Sequence, residues 1–121
     1  YYINYSLLGL SVPTKDPMSH SLVAITDNGI VTDTYSWGNN GQGQWFHNDS
    51  TDIASAQKAI DSGIGIDWYG GEDLDPFIEI EFEKRKNNTD PYDLWTNNCK
   101  ENAGELLKDA RTLKEKKRKV K

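Results

Sequence analysis

The clearest element of this chain is the stretch from His20 to Trp37, which reads HSLVAITDNGIVTDTYSW. Two runs rich in β-branched and aromatic residues flank Asn28-Gly29, a dipeptide that strongly favours a two-residue hairpin turn. The stretch therefore predicts two antiparallel strands joined by a tight turn.

Weaker strand patterns lie on both sides of the hairpin. Residues 2–10 are apolar and aromatic, which predicts another strand. The run from Phe77 to Phe82 alternates apolar and charged residues, which is typical of a half-buried strand. Residues 38–44 are polar and rich in glycine, so we expect a flexible surface loop there.

Two segments carry helix signals. Ser50 or Thr51 is expected to cap a short helix that Gly63 ends. A second helix is expected from Asn98 to about Lys116, because apolar residues recur along it at helical spacing. Together with the strands, these helices predict an α+β fold with a mostly antiparallel sheet and the last helix packed across it.

Cys99 is the only cysteine of the chain, and it lies at the first turn of the second predicted helix. Asn98 is a favourable N-cap residue, and Glu101 completes a capping box. Unpaired backbone N–H groups and the helix dipole at such a position favour a thiolate. The alternative is a small buried cysteine that fills the core.

The order of these motifs resembles the circularly permuted branch of the NlpC-type, papain-like superfamily, which includes the lecithin:retinol acyltransferase-like enzymes. That branch begins with a histidine, a glycine turn and a polar residue, and ends with a distal Asn-Cys motif. The matching positions here are His20, Asp27-Asn28-Gly29, Asp33 and Asn98-Cys99-Lys100-Glu101. The chain departs from the lipid enzymes after the cysteine, where those enzymes carry a histidine and an aromatic residue.

A cysteine–histidine pair of this kind implies nucleophilic catalysis. His20 would take the proton of Cys99, and the thiolate would attack a carbonyl carbon to form a thioester. The backbone N–H of Cys99 would help to hold the oxyanion.

A third residue would orient His20, and Asp33 fits that role by spacing and charge. A two-residue turn, however, places Ala24 opposite Asp33 and brings Ser36 and Trp37 nearer to His20. Asp33 then reaches His20 only through twist, a bulge or a looser turn. Tyr35, Ser36 and His47 are the other candidates for the third residue.

Substrate contacts are expected from Tyr35, Trp37 and Asn98. The run Tyr35-Ser36-Trp37-Gly38 is similar to the Asn-Ser-Trp-Gly run of papain-like proteases, with Tyr35 in the place of the orienting asparagine. The tryptophans are also candidates for the core, as is usual in a small domain.

Charge divides the chain into an acidic body and a basic end. Residues 1–110 hold 7 basic and 18 acidic side chains, whereas residues 111–121 hold seven basic and one acidic. An acidic body argues against a nucleic-acid groove. We expect one catalytic domain over residues 1–113 and a basic tail over residues 114–121.

These features favour a cysteine hydrolase that cuts amide bonds of peptidoglycan peptides as an antibacterial toxin. The chain has no segment of signal-peptide shape, so export or delivery to a target cell, with the periplasm as the site of action, would need another route. We expect a monomer that uses no cofactor or metal and is neutralised by a cognate immunity protein. The alternatives are a phospholipase or acyltransferase with the same dyad, a deamidase or protease on a protein, and a binding module with a structural Cys99.

Overall fold

The computed structural model describes residues 1–6, 19–39, 42–68, 70–90 and 98–119. These residues form a mixed α+β fold around one antiparallel sheet of five strands in the spatial order β4-β3-β2-β1-β5. The strands are β1 (Tyr2–Ser6), β2 (Ser19–Asp27), β3 (Ile30–Asn39), β4 (Gly43–His47) and β5 (Ile66–Trp68). The helices are α1 (Ser50–Ser62), α2 (Asp75–Arg85) and α3 (Cys99–Lys119), and a 3-10 turn (Glu72–Leu74) precedes α2.

The predicted hairpin is confirmed as β2 and β3. Asn28 and Gly29 have φ of 51° and 80°, the two positive values that a type I′ turn requires. A β-bulge between Ile25 and Thr26 then shifts the register by one residue. As a result Asp33 lies opposite Ile25, not Ala24, and is one residue farther from the start of β2.

The sheet is covered by helices on both faces. Successive residues of β2 point to opposite sides, so Leu22 and Ala24 pack on α1, whereas Val23 and Ile25 pack on α2 and α3. The expected antiparallel sheet with the last helix packed across it is therefore confirmed. The two apolar clusters hold α1 and α3 against opposite faces of the same strands.

The run from Phe77 to Phe82 is a helix, so the predicted strand is wrong. Pro76 lies in the first turn of α2, where its fixed φ favours a helix. Ile78 and Phe82 are buried, but Ile80 between them is 40% exposed. Residues four apart lie on one side of a helix, so Ile78 and Phe82 can both pack on α3 when this segment is helical. That packing favours a helix over a strand, in which alternate residues share a face.

Residues 38, 39, 43 and 44 of the expected glycine loop belong to strands, and residues 40 and 41 lie outside the described residues. β3 continues to Asn39, β4 begins at Gly43, and the two strands pair antiparallel. The N–H of Gly43 donates to the carbonyl of Asp90 at 2.9 Å, and a Cβ there would lie 2.0 Å from the Trp37 ring. Only glycine leaves room at position 43 for the close contacts with Trp37 and Asp90.

The ends of the predicted segments also differ. The part of the first predicted strand beyond Ser6 lies outside the described residues. The expected boundary between residues 113 and 114 falls inside α3, which continues to Lys119. Lys114 Nζ lies 2.5 Å from Asp73 Oδ2, which ties this part of α3 to the turn before α2. No helix in the described part of the chain is both long and apolar enough to span a bilayer.

Candidate active site

The site is built around His20, the second residue of β2. Its Nε2 lies 3.2 Å from Oδ1 of Asp52, a residue in the first turn of α1. Asp52 is 2% exposed, and its other oxygen accepts a hydrogen bond of 2.6 Å from Ser36 Oγ on β3. The buried carboxylate is therefore fixed from two sides, and it fixes the imidazole in turn.

Cys99 reaches the same imidazole from the opposite layer of the fold. It is the first residue of α3, is 6% exposed, and has a side-chain hydrogen bond with His20. The backbone N–H of Ser21 donates to its Sγ at 3.4 Å. Asn98 caps the helix as predicted, since its Oδ1 accepts from the N–H of Glu101 at 2.9 Å. The thiol and the carboxylate thus meet at His20, near the start of β2.

The electrostatics of His20 reflect both neighbours. Burial by itself lowers the pKa of His20, but the hydrogen bonds and negative charges of Asp52 and Cys99 outweigh it and raise the pKa to about 9. At neutral pH the site therefore favours a protonated imidazole between the Asp52 carboxylate and Cys99. In cysteine hydrolases, an imidazolium beside a thiol favours the thiolate that acts as nucleophile.

A polar network lies beside Cys99. Asn4 of β1 and Ser21 of β2 are fully buried, and Ser21 Oγ donates to Asn4 Oδ1 at 2.8 Å. Lys100 Nζ donates to the same Asn4 oxygen at 2.9 Å and contacts Ser21 Oγ at 3.3 Å. This network ties the first turn of α3 to β1 and β2, next to the strand amide that contacts the thiol.

Asp33 is not the partner of His20. Its Oδ1 lies 3.0 Å from His47 Nε2, on an exposed part of the sheet, where the His47 side chain is 42% exposed. His47 also stacks on Tyr35, with ring centroids 4.6 Å apart. The predicted orienting role of Asp33 is therefore corrected, and the carboxylate at His20 belongs to Asp52.

The predicted substrate contacts are distributed differently. Tyr35 and Trp37 are 2% and 0% exposed and belong to the core between the sheet, α2 and α3. That burial contradicts direct binding of substrate by Trp37, which packs edge-on against Trp45. Tyr35 packs against His47 and Phe82, away from His20. Asn98 lies next to the thiol, where it was expected, as a half-buried helix cap.

Asp52 is the site residue that the sequence prediction missed. It is separated from His20 by 32 positions, and an acidic residue in a first helical turn ordinarily signals only a favourable dipole interaction. The cap of α1 is also Asp49, whose Oδ1 accepts from the Asp52 N–H at 3.0 Å, and not Ser50 or Thr51. Ser36, one of the candidates for the third residue, does lie in the site, where its Oγ donates a hydrogen bond to Asp52.

Comparisons with known proteins add no family to this geometry. No family model, no curated protein and no solved structure matches the chain. Among the described residues, no cluster of three or more His, Cys, Asp or Glu side chains is placed to hold a metal ion.

Proposed function

We propose that the protein is a cysteine hydrolase in which Cys99 is the nucleophile, His20 the acid and base, and Asp52 the residue that orients His20. The observation that carries this proposal is the contact of one imidazole with both a helix-N-terminal thiol and a buried carboxylate. A structural cysteine needs neither partner. The histidine-first order and the packing of α3, with Cys99 at its start, on the sheet support the papain-like assignment.

The mechanism follows from these contacts. Asp52 engages Nε2 of His20, which leaves Nδ1 for the thiol. The Cys99 thiolate attacks the substrate carbonyl carbon, and the backbone N–H at the start of α3 stabilises the oxyanion. The S–C bond forms, the C–N bond of the amide breaks, and the amine leaves with a proton from His20. Neutral His20 then takes a proton from water, whose oxygen attacks the thioester carbon. The C–S bond breaks, which releases the carboxylic acid product and restores Cys99.

The substrate we propose is an amide bond of peptidoglycan peptides, cleaved in the periplasm of a target bacterium. The basis is the resemblance described above, together with the absence of the histidine–aromatic pair that follows the cysteine in the lipid enzymes. An antibacterial hydrolase of this kind implies an immunity protein that covers His20 and Cys99. A second candidate, an acyl hydrolase or acyltransferase on membrane lipids, is favoured by the histidine-first order and by the basic end of α3.

The test is expression of the wild type and Cys99→Ala in bacteria, directed separately to the cytosol and the periplasm. Periplasmic lysis with altered muropeptides, lost in Cys99→Ala and Asp52→Asn, is the expected result. Asp33→Asn is the matched control, because it removes a carboxylate from the other His–Asp pair. Changed phospholipids with intact muropeptides would favour the lipid enzyme. Full activity of Cys99→Ala would refute the hydrolase.

The nucleophile has an independent test that needs no substrate. We expect iodoacetamide to alkylate Cys99 rapidly at pH 6 in the wild type and slowly in His20→Ala. A thiol whose alkylation follows an ordinary pKa of about 8.5 would contradict the ion pair.

A further inference from the structure

A cleft of about 720 Å³ runs along α3 beside the site. One wall is a stripe of α3 that includes Lys100, Gly104, Lys108 and Arg111, and the opposite side is formed by residues of β1 and β5. This volume lies in the range of ligand-binding pockets. The stripe begins at the residue next to the nucleophile and follows the helix away from it.

Two residues connect the cleft to Cys99. Lys100 follows it in the chain and lines the cleft. Tyr2 of β1 also lines the cleft, and its pKa is raised first by burial and also by the negative charges of Cys99 and Asp67. Lys100 and Tyr2 therefore place this end of the cleft near Cys99. A substrate whose carbonyl lies at Cys99 has this cleft as a path for the rest of its length.

Among the described residues that line the cleft, more side chains are positively than negatively charged. Residues 1–110 carry an excess of acidic side chains, yet α3 presents Lys100, Lys108 and Arg111 to this one cleft. At 1.5 Å per residue, Lys108 lies about 12 Å along the helix from Lys100, which matches about four residues of extended peptide. The acids Asp67 and Glu115 also line the cleft.

Given the proposed hydrolase, on which this inference rests, we propose that the cleft binds a peptide substrate with carboxylate side chains, which Lys108 and Arg111 recognise. Charged side chains of both signs line the cleft, and an acyl chain would desolvate them. Peptide carboxylates and backbone amides pair with such charges instead. The cations set the preference for carboxylates, and Asp67 opposes a carboxylate near Tyr2.

Gly104 offers a way to close the cleft. It lies on the stripe between Lys100 and Lys108, and a Cβ added there meets no atom within 4 Å. The position therefore has open space for a Cβ, and a bulky side chain there would project into the cleft that Gly104 lines. Gly104→Trp is the blocking variant, and Glu105→Trp, on the exposed side of the same turn, is its matched control.

The experiment measures binding of fluorescein-labelled hexapeptides to the Cys99→Ala protein by fluorescence anisotropy. One peptide alternates alanine with glutamate and the other alternates alanine with glutamine. At about 0.05 M NaCl we expect the glutamate peptide to bind about tenfold more tightly. Lys108→Glu should weaken it about tenfold, whereas Lys58→Glu, the same change at an exposed position of α1, should alter it by less than about twofold.

Gly104→Trp should abolish binding of the glutamate peptide. Glu105→Trp should retain it, since the loss of a negative charge favours an anionic ligand. Circular dichroism and the urea midpoint of each variant verify folding. Equal affinity for the two peptides, no binding of either, or equal effects of Lys108→Glu and Lys58→Glu would overturn the proposal. Vesicles of phosphatidylglycerol that bind in a Gly104-dependent manner, without peptide binding, would overturn it in favour of a lipid cleft.

The two proposals fail separately. An ordinary thiol in the iodoacetamide test removes the hydrolase whatever the peptides do. A reactive Cys99 with no discrimination between the peptides removes only the assignment of the cleft.

Discussion

Replacement of Asp52 by asparagine tests the central contact of the site. The amide has nearly the same shape as the carboxylate, and its oxygen still accepts a hydrogen bond from Ser36. The replacement removes the negative charge beside His20, which is one of the causes that keep the buried imidazole protonated. The pKa of His20 should therefore fall from about 9, while the fold remains.

The magnitude follows from linkage between protonation and folding. A pKa of about 9 in the folded state, against about 6.5 in an unfolded chain, corresponds to about 3 kcal/mol at 1.36 kcal/mol per unit. This contribution is fully present below pH 6.5 and is lost as the pH rises through about 9, because the folded state holds the proton more tightly. Cys99 supplies part of the effect, so Asp52→Asn should cost about 2 kcal/mol at pH 6.

The assay is urea unfolding of both proteins at pH 6 and pH 10, combined with NMR titration of the two histidines. The difference in unfolding free energy should shrink to less than about 1 kcal/mol at pH 10, where His20 is neutral. Asp33→Asn is the matched control, and its exposed pair with His47 should contribute less than about 1 kcal/mol. Equal costs for the two variants, a difference independent of pH, or a wild-type His20 that titrates near 6.5 would refute the reasoning.

Three further predictions concern α3, each measured by urea unfolding. Asn98→Ala should cost about 1 kcal/mol, because the cap to Glu101 is lost, and should slow alkylation of Cys99 at pH 6; unchanged stability and reactivity would show that the cap is dispensable. Leu106→Ala should cost about 3 kcal/mol, since Leu106 is fully buried, and a loss as small as that of the half-buried control Leu113→Ala would contradict its place in the core. Gly104→Ala should add about 0.5–1 kcal/mol, because the new methyl group enters open space in a helix; a loss of stability would mean that the position is crowded.

The sequence by itself determined the elements that depend on local backbone chemistry. A type I′ turn requires positive φ at both central positions, and Asn28 and Gly29 adopt positive φ readily. The β2–β3 hairpin therefore follows from these two residues. Gly63 ends α1 in the left-handed conformation, and Asn98 caps α3 as its position predicts. These signals lie within a few residues of the structure they specify, so they can be recognised in the sequence before the fold is known.

The tertiary structure decided what depends on packing between distant segments. The positions of Ile78 and Phe82 suit either a strand or a helix, and burial against α3 selected the helix. The bulge in β2–β3 carried Asp33 away from His20, and the packing of α1 on the sheet brought Asp52 to it. Candidates for the nucleophile and the histidine were therefore evident in the sequence. The carboxylate that orients the histidine was not, because contacts over 32 positions follow from how the layers pack.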